Sequence, residues 1–186
     1  RSLVRLAGLT DFMSDLRLLA TLETGGIEDQ MGPADLVPLL LDLSEEWNSE
    51  AEGRGIRFAY DGPSELPPVR VHARLLREAV ANFLSNALKF TPEGGEVTLR
   101  AEALPDSVRI SVEDTGAGIS LEDQGDLFRE FSRLRAADTS GDGRRGSGIG
   151  LSIVKRIADA HGASLGCRSA PGQGSTFFIE LAASRD

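Results

Sequence analysis

Apolar residues recur at spacings of three and four positions along four segments of the chain, which is the period of one face of an α-helix. The spacing predicts helices over residues 1–23, 35–52, 72–90 and 148–161. The third segment shows the pattern most clearly, with apolar residues at Leu75, Leu76, Ala79, Val80, Phe83, Leu84, Ala87 and Leu88.

Segments in which apolar and polar residues alternate predict β-strands, at residues 56–60, 69–71, 96–104, 107–114, 163–169 and 175–181. The turn residues Pro105-Asp106 and Pro171-Gly172 indicate that the middle pair and the last pair each form an antiparallel hairpin. Strands in this order, with helices between and after them, predict an α/β fold. We expect a two-layer sandwich in which three helices cover one face of a mixed five-stranded sheet, preceded by an N-terminal helix.

Two common nucleotide-binding folds do not fit this pattern. A doubly wound fold needs a strand, a glycine-rich loop and a helix near its start, and the sequence lacks that unit. A P-loop needs the run Gly-x-x-x-x-Gly-Lys-[Ser/Thr], which does not occur. Any nucleotide site in this chain must therefore be built differently.

The first predicted helix has a second periodicity. Leu6, Met13 and Ala20 recur every seven residues, and Leu9 and Leu16 fill the other core position of the same heptads. From periodicity alone, an ordinary surface helix is the simpler interpretation. An unpaired apolar stripe of this kind also suits weak self-association.

Composition and charge narrow the class of protein. The 186 residues are 40% hydrophobic and 26% charged, as in soluble globular proteins, and no apolar run is long enough to cross a membrane. A single cysteine favours a reducing cytosol, and one cysteine with two histidines leaves little material for a zinc site. The net charge of −9 disfavours nucleic acid as a partner. It does not describe every part of the chain, because residues 129–145 hold five arginines against three acidic residues.

Four short segments carry side chains suited to binding chemistry, and the first lies on the predicted 72–90 helix. Asn82, Asn86 and Lys89 are spaced so that two amides and an ammonium group share one face. Asparagine is a poor helix former, so two within one turn indicate a use other than helix stability. The alternative is that these residues form the solvated edge of the helix.

The other three segments are rich in glycine. Asp114-Thr-Gly-Ala-Gly-Ile119 follows a strand, Gly146-Ser-Gly-Ile-Gly-Leu151 opens a helix, and Gly172-Gln-Gly-Ser-Thr176 joins two strands. Glycines before a helix let an anion approach the backbone N–H groups of its first turn. Taken singly, the three segments are also compatible with a plain turn, a flexible linker and a hairpin turn.

In this order and at these distances, the four segments resemble those of the ATP-binding domain of sensor histidine kinases, in the wider group that includes gyrase, HSP90 and MutL. Residues 78–92 are similar to the family's N box, the three glycine-rich segments to its glycine boxes, and Leu127-Phe-Arg-Glu-Phe-Ser-Arg133 to its F box. The resemblance covers about residues 33–183. It implies the Bergerat-type ATP-binding fold, with an ATP lid over about residues 125–147.

The resemblance also implies ATP and Mg²⁺ as ligands and a role for each matched position. Asp114 would accept a hydrogen bond from the adenine amine, and Asn86 would supply an amide oxygen to Mg²⁺. Lys89 and Arg133 would contact phosphates, and Phe90 would flank the base. The glycines at 116 and 118 would leave room for the nucleotide, those at 146, 148 and 150 would hold the phosphates at a helix N-terminus, and the phenylalanines at 128 and 131 would anchor the near end of the lid. The implied ATP-binding positions are Asn82, Asn86, Lys89, Phe90, Asp114, Gly116, Gly118, Ile119, Phe128, Phe131, Arg133, Gly146, Ser147, Gly148, Ile149, Gly150, Leu151 and Thr176.

One position separates the kinases from their hydrolysing relatives. In those relatives a glutamate that activates water lies one turn before the magnesium asparagine. Here that place is Asn82, which cannot accept a proton at neutral pH. The resemblance therefore favours the catalytic domain of a histidine kinase. A non-catalytic ATP-dependent interaction module and a hydrolysing ATPase of the same superfamily remain as alternatives.

A histidine kinase phosphorylates a histidine on the first helix of a two-helix hairpin, and neither histidine of this chain fits that place. His72 begins the N-box helix and His161 ends a later helix, so both are predicted to be packing or capping residues. Residues 1–25 resemble the second helix of the hairpin. The chain is therefore predicted to lack the phosphoacceptor histidine and to bind Mg-ATP without autophosphorylating.

The implied partners are the phosphoacceptor hairpin of the same kinase or of its dimer mate, and a response regulator. The intact protein is expected to be a homodimer, and this chain alone to be monomeric or weakly associating. The resemblance implies a cytoplasmic location, whether or not the parent protein is anchored to a membrane.

Overall fold

The computed structural model describes residues 30–128 and 149–184. The predicted first helix and most of the predicted lid lie outside the described residues, as do the predicted site residues Phe131, Arg133, Gly146, Ser147 and Gly148. In the described part, no helix is both long enough and apolar enough to cross a membrane.

The predicted helices and strands of this part are confirmed to within two residues at each end, and two short elements are added, a first strand and a third helix. In chain order the elements are β1 (Gly32–Ala34), α1 (Leu36–Glu52), β2 (Arg57–Asp61), β3 (Val69–Val71), α2 (Ala73–Phe90), β4 (Glu96–Ala103), β5 (Ser107–Asp114), α3 (Leu121–Gln124), α4 (Gly150–Ala160), β6 (Ser164–Ser169) and β7 (Ser175–Ala182).

The main sheet has five strands in the order β2-β4-β5-β7-β6. Only β2 runs parallel to its neighbour, and the other pairs are antiparallel, so the predicted mixed five-stranded sheet is confirmed. The strand predicted at 69–71 lies outside this sheet and pairs with β1 in a separate two-stranded sheet. It stays close to the main sheet through Val69, which bridges to Ala183.

The core lies between one face of the sheet and the helices α1, α2 and α4. On β5 and β7 alternate residues point inward, and Ile110 and Ile179 face each other in register with both side chains fully buried. Phe83 of α2 is also fully buried and stacks on Phe177 of β7, with ring centroids 5.6 Å apart. Burial of these large apolar side chains supplies the main driving force for the fold.

The opposite face of the sheet carries charged residues in place of helices. Arg109 bridges Glu102 and Glu180 across three adjacent strands, at 3.4 and 2.9 Å. Hydrogen bonds from Ser107 and Arg109 lower the pKa of Glu180. The guanidinium of Arg109 also lies 5.1 Å from the centre of the Phe178 ring. Among residues 30–128 and 149–184, helices cover only the other face of the sheet, which agrees with the polar character of this one.

The two histidines join the start of α2 to the end of α4. His72 is the N-cap of α2, where its Nδ1 accepts the backbone N–H of Leu75. The Nδ1–H of His161 donates to the carbonyl of Ile157 at 2.7 Å, and its Nε2 accepts the backbone N–H of His72 at 3.0 Å. Both histidines therefore have the capping and packing roles that the sequence predicts. One ring nitrogen of His161 must stay unprotonated to accept, so the ring is neutral.

Burial lowers the pKa of His161 below its usual 6.5, and His72 adds to the shift. The unfolded chain therefore binds this proton more tightly than the folded chain. The neutral His161 ring therefore contributes its full stabilisation of the folded chain above about pH 6.5. This contribution is lost as the pH falls toward the lowered pKa of His161. We expect the urea midpoint to drop less between about pH 8 and 5 in His161→Gln than in the unaltered chain. Equal drops in the two proteins would contradict this role.

Candidate functional site

The C-terminal half of α2 contributes three polar side chains beside its buried face. Asn82, Asn86 and Lys89 are all half-buried, next to core residues of the same helix. The Nδ2 of Asn82 donates to the carbonyl of Glu78 one turn earlier, at 3.0 Å. Burial lowers the pKa of Lys89. Within residues 30–128 and 149–184, the Asn86 side chain makes no hydrogen bond, so its amide oxygen can accept one or coordinate a cation.

Asp114 ends β5 on the same side of the sheet as these residues. Its position follows the strand alternation, because Ile110 and Val112 of the same strand point into the core. Burial raises the pKa of the Asp114 carboxyl, and backbone N–H groups of Gly116 and Ser175 partly offset that rise. The Gly116 N–H lies 2.8 Å from Asp114 Oδ1 and orients the carboxylate. The result is a partly desolvated acceptor held by its own loop.

The glycines of this loop allow close approach to other parts of the protein backbone. A Cβ on Gly116 would lie 2.6 Å from the carbonyl oxygen of Phe90, at the end of α2. A Cβ on Gly118, where φ is +70°, would lie 1.9 Å from the carbonyl oxygen of Ala170. These residues let the loop approach α2 and the β6–β7 hairpin, and their role toward a nucleotide stays a prediction.

The first turn of α4 lies against Asn82. A Cβ on Gly150 would lie 2.4 Å from Asn82 Oδ1, so glycine permits this approach. Ile149, in the N-cap position, is buried and makes no side-chain cap, and Leu151 follows in the first turn. An α-helix begins with N–H groups that have no partner within the helix, and the start of α4 lies next to Asn82 of α2. The arrangement is suited to an anion.

Aromatic and aliphatic side chains fix the chain on either side of α3. Phe128 meets Phe177 edge to face, with ring centroids 6.4 Å apart. Leu127 and Ile119 are buried. The predicted role of Phe128 as an anchor for the lid stays a prediction, because most of the lid lies outside the described residues. Phe90, predicted to flank a base, is 37% exposed at the end of α2.

Thr176, also predicted to belong to the site, lies on the other face of the sheet. It points away from the helices, since its neighbours Ser175 and Phe177 on β7 are buried on the helix side. Ser175 pairs with Asp114 in register and its N–H acts on the Asp114 carboxyl, so it is the residue that the sequence analysis missed. The alternation of Phe177, Ile179 and Leu181 along the strand would have identified it.

A cavity of about 530 Å³ lies at this end of the sheet but opens on its other face. Strand residues that face away from the helices line it, among them Thr98, Glu113 and Thr176. Asn82, Asn86 and Lys89 are not part of its lining. Asp114, Ser169 and Ser175 do line it, so the cavity reaches the end of β5 that carries Asp114.

The described residues contain no group of three His, Cys, Asp or Glu side chains that could hold a metal ion. A cation at this site would therefore depend on Asn86, on water and on oxygens that a ligand brings with it. That is the usual situation for Mg²⁺ bound together with phosphates.

Comparison with known proteins identifies similar chains among kinases. Residues 71–185 match the family described as histidine kinase-, DNA gyrase B- and HSP90-like ATPase. The chain is 32% identical over 169 residues to the alginate biosynthesis sensor protein KinB of Pseudomonas aeruginosa, covering 91% of this chain and 27% of that protein. It is 37% identical over 151 residues to the sensor histidine kinase Hik2 of Thermosynechococcus vestitus, covering 80% of this chain and 38% of that protein.

Among solved structures, full-length ShkA in complex with AMPPNP superimposes with a TM-score of 0.81 and 33% sequence identity, covering 96% of this chain and 37% of that one. This chain therefore spans less than two fifths of the length of each of these three proteins.

Two glycines of the β6–β7 turn offer a matched test of the packing around Asp114. Both have positive φ, +74° at Gly172 and +76° at Gly174. A Cβ at 174 would lie 1.8 Å from the carbonyl oxygen of Asp114, whereas a Cβ at 172 would have no neighbour within 4 Å. We expect Gly172→Ala to cost about 1 kcal/mol of unfolding free energy and Gly174→Ala about 3 kcal/mol, because only the second forces the backbone apart. Urea unfolding measures both, and equal costs would argue against the close approach.

Proposed function

The chain belongs to the family of histidine kinase-, DNA gyrase B- and HSP90-like ATPases, as an ATP-binding domain of the sensor histidine kinase type, and from that premise we propose what it does. It binds Mg-ATP and transfers the γ-phosphoryl group to a histidine on a hairpin helix, as part of a two-component sensor kinase. The observation that supports the proposal is that α2 meets two other parts of the chain: the loop after Asp114, where Gly116 approaches Phe90, and the first turn of α4, where Gly150 approaches Asn82.

Asp114 supports recognition of adenine. A buried carboxylate accepts a hydrogen bond from the exocyclic amine of adenine, but it faces a carbonyl oxygen if guanine takes the same place. Two acceptors facing each other in a desolvated site cost a few kcal/mol. The Gly116 N–H already donates to one lone pair of Oδ1 and so orients the carboxylate. The remaining lone pairs of the carboxylate can accept a hydrogen bond from a ligand.

The opposite side of the site suits a triphosphate with its cation. The first turn of α4 provides backbone N–H groups, and Lys89 provides positive charge on the adjacent helix. Asn86 is the residue that would give an oxygen to Mg²⁺. The ion would neutralise phosphate charge, and the residues of this chain would position the ligand around it. Arg133 and the glycines at 146 and 148 are proposed to join them from the lid.

Asn82 favours transfer over hydrolysis. A carboxylate base is needed to activate water, whereas an amide takes no proton at neutral pH. The Nδ2 of Asn82 is used in a hydrogen bond to the carbonyl of Glu78, and its Oδ1 lies against Gly150. The side chain thus links α2 to α4. This arrangement supports a kinase over the hydrolysing alternative, and retention of Asp114 and Lys89 disfavours a non-catalytic module.

The partners follow from the same proposal. They are a phosphoacceptor hairpin, of which residues 1–25 would form the second helix, and a response regulator. We propose that the intact protein is a homodimer and that this domain, residues 33–183, works in the cytoplasm.

Titration calorimetry with ATP and GTP tests the binding part of the proposal. We expect ATP to bind more tightly than GTP. Asp114→Asn should lower the affinity for ATP about ten- to hundredfold, which is what a hydrogen bond to a charged group contributes. The preference for ATP should narrow, because an amide can also donate to guanine. Glu113→Gln is the matched control, since that carboxylate lies on the other face of the sheet and pairs with Arg100. Equal affinities for the two nucleotides in the unaltered chain would overturn the site.

The raised pKa of Asp114 adds a pH dependence to the same titration. The ionised form accepts the adenine amine, so ATP affinity should fall as the pH drops through this raised pKa. Asp114→Asn should lack that fall.

Labelling with γ-labelled Mg-ATP tests the assignment of the histidines. Both ring nitrogens of His161 are used within the fold, and His72 caps α2. We therefore expect no phosphohistidine on this 186-residue chain when it is incubated alone. Phosphate on either histidine, located by mass spectrometry after limited digestion, would refute the assignment. Rapid release of free phosphate would favour the hydrolysing alternative instead.

A further inference from the structure

Two residues outside the binding positions described so far hold the loop that carries Asp114. We propose that Ser169 and Gln124 are positioning residues for base recognition, acting through the loop at residues 114–119, which we term the Asp114 loop. The inference rests on the proposed function, because it concerns how precisely that loop presents its carboxylate to a base.

The hydroxyl of Ser169, the last residue of β6, joins three separate parts of the backbone. Its Oγ accepts the N–H of Ile119 at 2.8 Å and donates to the carbonyl of Gly174 at 2.7 Å. The Oγ of Ser175 lies 3.0 Å away. Because the single hydroxyl hydrogen is used on Gly174, Ser175 is the donor in that last pair. One side chain therefore ties the end of the Asp114 loop to the β6–β7 turn.

Gln124, the last residue of α3, also connects the end of the Asp114 loop to Ser169. Its Nε2 donates to the carbonyl of Ile119 and to the carbonyl of Ser169, each at 2.9 Å. An amide nitrogen has two hydrogens, so both are used. The N–H and the carbonyl of Ile119 are thus held by Ser169 and Gln124 respectively.

These contacts affect Asp114 because the start of the same loop orients its carboxylate. The Asp114 backbone is already held by pairing with Ser175 in the sheet. Its carboxylate is oriented by the N–H of Gly116, which belongs to the loop. In the middle, the N–H of Gly172 donates to the carbonyl of Ala117 at 2.7 Å. Loosening Ile119 therefore loosens the segment that aims the carboxylate, while the strand stays in place.

The test compares nucleotide affinities of Ser169→Ala and Gln124→Met, which remove the side-chain hydrogen bonds and keep nearly the same volume. We expect each substitution to lower the affinity for ATP about five- to tenfold, which corresponds to the loss of one to two hydrogen bonds. The affinity for GTP should fall much less, so the ratio of the ATP affinity to the GTP affinity decreases. The Ile119 amide should also exchange faster with deuterium in Ser169→Ala.

Ser107→Ala is the matched control. Its hydroxyl donates to Glu180 at 2.7 Å from the opposite end of β5, so the variant loses one hydrogen bond of the same kind far from Asp114. It should leave the ATP-to-GTP ratio unchanged.

The outcomes separate this inference from the proposed function. If Asp114→Asn lowers ATP affinity while Ser169→Ala and Gln124→Met keep the unaltered ratio, the positioning role is wrong and the site assignment stands. An equal loss for ATP and GTP would show a purely structural role and would also overturn the inference. If the unaltered chain does not distinguish ATP from GTP, both proposals fail together.

Discussion

The packing of α2 against the inner face of the sheet is the interaction on which the rest of this structure depends. Phe83 stacks on Phe177, and Leu76, Val80 and Leu84 are fully buried beside it. Because an α-helix has a rigid periodicity, burying this stripe also determines where the polar residues of the helix point. Asn82, Asn86 and Lys89 therefore lie along the half-buried edge of the helix, where Asn82 contacts the first turn of α4. The core and the site are built by the same helix.

Desolvation gives the site its electrostatic character. Burial shifts the pKa values of the two ionisable groups in opposite directions. It raises the pKa of Asp114 and lowers that of Lys89. In both groups the charged form loses favourable hydration, and a ligand that supplies the complementary group can replace it. The chain as a whole carries a charge of −9, yet this does not oppose binding of a polyanion. Two groups of ion pairs, around Arg100 and around Arg109, lie on the other face of the sheet.

Sequence reasoning did not reach features that depend on side-chain direction or close backbone contact. It did not show that a Cβ at Gly116 or Gly118 would meet the protein's own backbone. Thr176 was chosen from a motif one position away from Ser175, and the strand alternation places the two on opposite faces. Ser169 and Gln124 belong to no motif. Their hydrogen bonds connect segments that are about fifty residues apart in the chain.

The sequence by itself determined the helices, nearly all of the strands, the sheet composition and the family, because these depend on local periodicity and on short motifs in a given order. Through the family resemblance it also predicted Asp114, Asn86 and Lys89 as site residues. The tertiary structure alone decided that 69–71 leaves the main sheet, that Ser175 and not Thr176 meets Asp114, and that a serine and a glutamine hold the Asp114 loop. Those features arise from contacts between distant segments, and neither periodicity nor a local motif encodes the distance between two such segments.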